Sequence, residues 1–375
     1  MDKFPLDMES SENHYEPSVI EQVDTMFVAF ITKGLEQVSK GELESLFPQS
    51  KIIEMSGKYI LFSADKLPPN EVIKLRTCDD IHYVLGYSES ADVLDENYVI
   101  SRFPFSNLKQ AGTYIRALRK LGSTFSITVA RYKNDSINID SLKANLARGI
   151  SQITDEEYTE LDHSNFDIRV NVETSRVIYS VRIPKSSLYV RHYRRCERAG
   201  ALKPPVAASL CLLSNPKKGE KLVDNFCGTG TILCEGKLLG LIPYGGDISE
   251  ESVECASINL GTISPDFKSN LRVLNATSSR WPDNFFDVAI SNFPWGKQVE
   301  LDRVVTLYTE SIREYARILK DNGRIVLLGV KPEIVAKHLK KNFPNHYVGQ
   351  LKIGFLGQTP WVSYAVPKPV EQSDQ

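Results

Sequence analysis

The chain has 375 residues, 42% hydrophobic and 25% charged, with a formal net charge of −2, an ordinary balance for a globular protein long enough for two or three domains. No apolar run reaches the roughly 20 residues that span a bilayer, and the opening MDKFPLDMESSENHYE is acidic rather than a basic-then-apolar leader, so a cytoplasmic protein without membrane contact is expected. Cys78, Cys196, Cys211, Cys227, Cys234 and Cys255 form no C-x-x-C pair and lie near no histidine pattern, which predicts reduced thiols and no metal site.

Residues 1–24 hold seven acids against Lys3, a local charge of −6, and read as an acidic disordered tail. From 25 to 95, TMFVAFI, LEQVSKGELESLF, KIIEM, KYILFSA and IHYVLGY give strand, helix, strand, strand, helix, strand, a small α+β unit. A second unit spans 96–190: SNLKQAGTYIRALRKL and SLKANLARGISQI have helical periodicity, STFSITVARY alternates like a strand, and FDIRVNVE with RVIYSVRI reads as a hairpin. Neither unit carries a catalytic constellation. Their charge is uneven, however. Between Arg102 and Arg148 nine bases face two acids, +7, and between Arg182 and Lys203 seven face one, +6. These bases are a solvated face or a phosphate-binding surface, and spacing alone does not choose.

Residues 191–206 form a basic linker ending in Pro-Pro. From 207 to 375 strand-like runs (KLVDNF, IPYGGDI, LRVLNA, FFDVAIS, GRIVLLGV) alternate with helical ones, the pattern of an α/β, doubly wound parallel sheet. HYVGQLKIGF and WVSYAVP are expected to pair antiparallel at its edge.

Three stretches carry chemistry. DNFCGTGTIL places Gly228 and Gly230 at the first strand-to-helix turn, where backbone can approach a ligand, and Asp224 at the strand end can accept a hydrogen bond from a ligand ammonium. Asp247, 19 residues after Gly228, stands where an acid holds ribose hydroxyls, or else caps the next helix. Leu233 at the third glycine position disfavours a dinucleotide. Together these residues describe an adenosine-type cofactor bearing an amine. In SNFPWG the Asn292 amide oxygen and the Phe293 carbonyl could accept both N–H bonds of an exocyclic amine, with Pro294 stiffening the turn and Trp295 offering a face for base stacking. A plain β-to-α turn is the competing explanation.

DNFCGTGTIL, GGDIS, LNATSSRW and SNFPWG resemble motifs I to IV of class I S-adenosylmethionine-dependent methyltransferases acting on amino nitrogens. ALKPPVAASL is similar to the helix before motif I, and the upstream half resembles the ferredoxin-like and THUMP pair of tRNA guanine-N2 methyltransferases. The resemblance implies a Rossmann-like methyltransferase sheet preceded by an α+β ferredoxin-like domain and a THUMP domain. It places Asp224, Phe226, Gly228 and Gly230 around the methionine part of S-adenosyl-L-methionine, Asp247 at the ribose, Asn275 and Ala276 beside the adenine, and Asn292, Phe293, Pro294 and Trp295 at the catalytic turn. It also implies tRNA as partner, gripped near the acceptor end, with Arg116, Arg119, Lys120, Arg131, Arg191, Arg194 and Arg195 as candidate contacts. Some eukaryotic relatives add a small zinc-binding activator subunit. Asn225 stands where the family has Pro, which is expected to loosen that turn; Asn275 replaces a frequent Asp. An rRNA guanine-N2 enzyme and an inactive RNA-binding module are the alternatives.

Overall fold

A computed structural model describes residues 25–120, 122–132, 134–154, 156–160, 166–295, 301–354 and 359–368. The acidic segment 1–24 lies outside them, as do Gly296 and Lys297.

The first half of the chain folds as strands β1 (Met26–Ile31), β2 (Lys51–Met55), β3 (Tyr59–Ser63), β4 (Cys78–Glu89), β5 (Thr124–Arg131), β6 (Glu157–Tyr158), β7 (Phe166–Val172) and β8 (Arg176–Arg182). Helices α1 (Glu36–Leu46), α2 (Pro69–Val72), α3 (Glu96–Ser101), α4 (Leu108–Leu118) and α5 (Ile139–Ile153) connect them. All eight strands share one sheet in the order β2-β3-β1-β4-β8-β7-β5-β6. The two units read from the sequence are therefore joined edge to edge, by antiparallel pairing of β4 with β8 from His82↔Arg182 to Glu89↔Arg176. One face of the sheet packs on the apolar sides of the helices, through residues such as Leu43, Val99, Ile115, Leu142 and Leu146. The periodicity of α4 and α5 (Leu108, Ala111, Ile115; Leu142, Leu146, Ile150) is what buries them there.

The second half contains α6 (Pro204–Leu213), β9 (Lys221–Asp224), α7 (Thr231–Leu238), β10 (Ile242–Asp247), α8 (Glu250–Ile263), β11 (Leu271–Val273), β12 (Phe286–Asn292), α9 (Leu301–Ile318), β13 (Leu319–Gly329), α10 (Pro332–Asn342), β14 (His346–Lys352) and β15 (Trp361–Pro367). They form a seven-stranded sheet, β11-β10-β9-β12-β13-β15-β14, parallel except for β15 and β14. Apolar residues of α6, α7 and α8 cover one face and those of α9 and α10 the other. Strand order reverses between β9 and β12, and in such sheets ligands bind outside the carboxyl ends of the strands at that switch point.

The halves meet along α1 and α6. Leu35, just before α1, is buried in the core cluster that contains Val206, Leu210, Ile290 and Ile353. Gly34, with φ +91°, lets its turn lie on the C-terminal chain: a Cβ there would sit 2.1 Å from the Lys352 carbonyl oxygen. Beside this contact Glu235 of α7 is fully buried. It accepts hydrogen bonds from Arg76 Nε at 2.5 Å, Arg191 Nε at 2.9 Å and the Tyr193 hydroxyl at 2.7 Å.

Three expectations are corrected here. Arg191 is buried on Glu235 and also donates to the Arg76 carbonyl at 2.8 Å, so it is an interdomain strut and not an RNA contact. Arg119 is half-buried, its Nε on the Ile183 carbonyl at 3.0 Å. Nor are all six cysteines reduced: Cys196 and Cys255, far apart in sequence, come together as a disulfide joining the linker to α8.

Candidate active site

A cavity of about 400 Å³ opens at the carboxyl ends of β9, β10 and β12. Asp224, Phe226, Gly228, Asp247, Asn275, Ala276, Asn292 and Pro294 line it, so residues spread over 71 positions of sequence converge because successive parallel strands end at one edge.

Asp224 ends β9 and is buried. Its Oδ1 accepts from the Ser291 hydroxyl at 2.5 Å and from the Phe226 N–H at 3.0 Å. Burial, with the charge of Asp247 adding to it, pushes this carboxyl up to about 7 against the effect of those two bonds. Ser291 in turn contacts the buried Tyr315 hydroxyl of α9, which accepts the Asn225 N–H at 2.9 Å. Since Asn225 N–H donates to Tyr315 and Ser291 donates to Asp224, the Tyr315 proton is directed to Ser291. Asn225 also accepts the Trp281 indole N–H at 3.0 Å. A proline could make neither bond, so this substitution ties the turn down where a loosening was expected.

Asp247 is held by two backbone donors, Gly228 N–H at 2.9 Å on Oδ2 and Ser249 N–H at 3.0 Å on Oδ1. The capping of α8 falls instead to Ser249, whose hydroxyl accepts from Ser252 N–H at 3.2 Å. Asn275 folds its own Oδ1 onto the backbone and hydroxyl of Thr277, both at 3.0 Å, an Asx turn. Gly228, with φ +50°, faces open space at its Cβ position and keeps the floor clear.

Three expected contacts, Gly230, Phe293 and Trp295, do not line the cavity. Gly230 does not line the cavity; it precedes α7 with φ +78°, and a Cβ there would lie 3.0 Å from the Ala256 Cβ, so it serves close packing of α7 on α8. The Phe293 side chain is fully buried between Phe226 and Tyr308, with ring centroids at 5.0 and 4.5 Å, and shapes the turn from beneath. Pro294 follows it, its carbonyl accepting the Tyr308 hydroxyl at 2.9 Å. The Trp295 indole N–H donates to Asn292 Oδ1 at 2.9 Å.

Sequence reasoning missed other wall residues. Ile248, 78% exposed at the cavity, and Ser252 follow Asp247; an apolar side chain after the strand-end acid was the available signal. Arg198 and Leu202 form a wall from the linker. Arg198 is exposed and paired with Glu251 at 2.8 Å.

These residues fit S-adenosyl-L-methionine. Asp224 is a buried carboxylate at the cavity with Oδ2 outside its two described bonds, suited to an ammonium; Asp247 is an oriented diol acceptor; Ile248 and Ala276 are apolar neighbours for a base. No group of three or more His, Cys, Asp or Glu among the described residues is placed to hold a metal, and no described helix is long and apolar enough to cross a membrane.

Residues 191–354, which hold this sheet and its cavity, match the family model for an RMKL-like methyltransferase domain, UPF0020. Over 359 residues the chain is 26% identical to a tRNA (guanine(6)-N2)-methyltransferase of Methanocaldococcus jannaschii, covering 83% of this chain and 92% of that one. A 171-residue stretch, 45% of the chain, is 26% identical to the U6 snRNA (guanine-N(2))-methyltransferase THUMPD2 of Bos taurus and covers 33% of it. The crystal structure of TrmN from Thermus thermophilus superposes with a TM-score of 0.71 at 19% identity over 92% of this chain and all of that one, a likeness of fold.

Proposed function

We propose that the protein methylates the exocyclic N2 of a guanosine in tRNA, in the acceptor-stem region, and works in the cytoplasm. The observation that carries this is Asn292, a strand-end amide on the wall of the cavity that Asp224 and Asp247 share. The M. jannaschii relative, named for guanine-N2 methylation of tRNA, supports it over most of the chain.

S-adenosyl-L-methionine, when bound, supplies an electrophilic sulfonium methyl. Asn292 Oδ1 accepts one hydrogen of the amine, and the backbone carbonyl of Phe293 is the acceptor assigned to the other on this proposal. Holding both hydrogens turns the nitrogen lone pair toward the methyl, and such alignment supplies most of the rate. The methyl would pass to the amine nitrogen that Asn292 orients, sulfur keeping the C–S electron pair, and the amine, then cationic and acidic, would give its proton to water. A guanosine in a stem is first swung out of the stack, at a few kcal/mol.

The eight-stranded unit is, on this proposal, the ferredoxin-like and THUMP half that holds the RNA. Arg116, Lys120, Arg131 and Arg195 are exposed, Arg116 with Glu156 at 3.1 Å and Arg131 with the Ile137 carbonyl at 2.7 Å; half-buried Arg194 pairs with Glu197 at 3.2 Å. Phosphate contacts through them make binding salt-dependent.

Purified protein incubated with unmodified tRNA and S-adenosyl-L-methionine, alone and with a small zinc-binding activator subunit, should yield N2-methylguanosine by nucleoside mass spectrometry. Asn292→Ala should lower the rate about a hundred-fold or more and leave tRNA affinity unchanged. Methyladenosine as product, or full turnover by the variant, would refute the assignment. The match to a U6 snRNA enzyme favours a second reading, another structured RNA as acceptor; running that RNA in parallel separates the two.

A further inference from the structure

Trp295 occupies the position where an aromatic face for the substrate base was expected, yet its surroundings give it other work. Its indole N–H donates to Asn292 Oδ1 at 2.9 Å. The ring is half-buried against the apolar cluster containing Leu202, Ile290 and Val362, and it is not among the residues that line the cavity. The turn between the two residues is fixed at each step: Phe293 N–H donates to the Leu328 carbonyl at 2.8 Å, and Pro294 is held by Tyr308.

We infer that Trp295 is a positioning residue that sets which end of the Asn292 amide meets the amine, a conclusion that rests on the methyl-transfer reading above. An indole nitrogen donates and cannot accept, so the group facing it must be the amide oxygen. Flipping the amide would set two donors against each other and forfeit the bond. Of the two lone pairs on Oδ1 the indole takes one, and the other remains for a hydrogen of the substrate amine. An Asn without this clamp can present its NH2 group to the amine, which repels it. Phenylalanine would keep an aromatic ring and lose the N–H, so the two roles of Trp295 are separable.

The test compares wild type, Trp295→Phe, Asn292→Asp and the double variant in steady-state methylation of tRNA. Trp295→Phe should lower kcat about tenfold, with KM for tRNA and cofactor affinity within about twofold. In Asn292→Asp both ends of the side chain accept, so orientation no longer matters and Trp295→Phe should cost little further; the double-variant cycle reads that coupling. Unchanged kcat in Trp295→Phe, or the same loss in both backgrounds, would overturn the inference. A readout without substrate keeps it testable should wild type methylate some other nucleoside: in 15N-Trp spectra, the Trp295 indole proton should exchange slowly and lose that protection in Asn292→Ala. Fast exchange in the wild type would count against the clamp.

Discussion

Asp224 shows how one side chain couples the site to pH. Burial raises its carboxyl to about 7, so between its ordinary value near 4 and about 7 the folded protein binds more protons than the unfolded chain does. Ligand-free stability therefore declines as pH rises through that window and levels off above it. Binding of an ammonium runs the other way, because it requires the carboxylate. Affinity for S-adenosyl-L-methionine should climb about tenfold per pH unit up to about pH 7 and fall again once the ligand ammonium loses its proton above about pH 8, and Asp224→Asn should abolish the acid-side dependence. Calorimetric titrations from acid to alkaline pH decide it; a flat wild-type profile would remove Asp224 from the ammonium. Asp224, Gly228, Asp247 and Asn292 were legible in the sequence because each ends or follows a strand whose hydrophobic run is plain. Ser291 and Tyr315 were not, since their meaning lies in a contact across 24 residues that no local pattern encodes.

At the scale of elements, α7 begins beside the cavity and, about one turn on, carries the acid that binds the other half of the molecule. Glu235→Ala would strand two guanidinium groups and a phenol in the interface, and such a loss costs about 3–5 kcal/mol. Chemical denaturation should register it as a lowered midpoint; a variant as stable as wild type would show the cluster to be incidental. The same cluster explains why the basic linker misled. Local charge counts Arg191 with Arg195, and only burial distinguishes a cation satisfied by Glu235 from one facing solvent. The alternation of strand and helix was clear from Leu222 to Val330, as was the antiparallel pair of β14 and β15 at the sheet edge. Helix α10 and short α3 went unread; Pro332 opens the first at the helix start, where a proline is tolerated.

For the whole molecule, the Cys196–Cys255 bond closes a loop over a sequence separation of 59 residues and fastens the cavity wall at Arg198 to Leu202 onto α8. Asn259 reinforces it, accepting from the N–H groups of Arg195 and Cys196 and donating to the Cys196 carbonyl. A loop of this length predicts a loss of up to about 4 kcal/mol on reduction; equal denaturation midpoints with and without reductant would deny the bond that contribution. Distant cysteines gave no sign of it, because their meeting depends on where the linker runs after Tyr193 is buried.

The eight-stranded sheet has a consequence for how this chain can be recombined with its relatives. Between β4 and β8 there is a shared ladder, and Arg182 of β8 bridges Asp80 of β4 at 2.7 Å and Asp167 of β7 at 2.8 Å. A chimera spliced near residue 95 must therefore match one parent's β4 to the other's β8 along its full register, and a mismatch exposes two unpaired edges in the middle of the sheet. A splice in the stretch 194–203 severs no ladder. Residues 25–190 are inherited as one part.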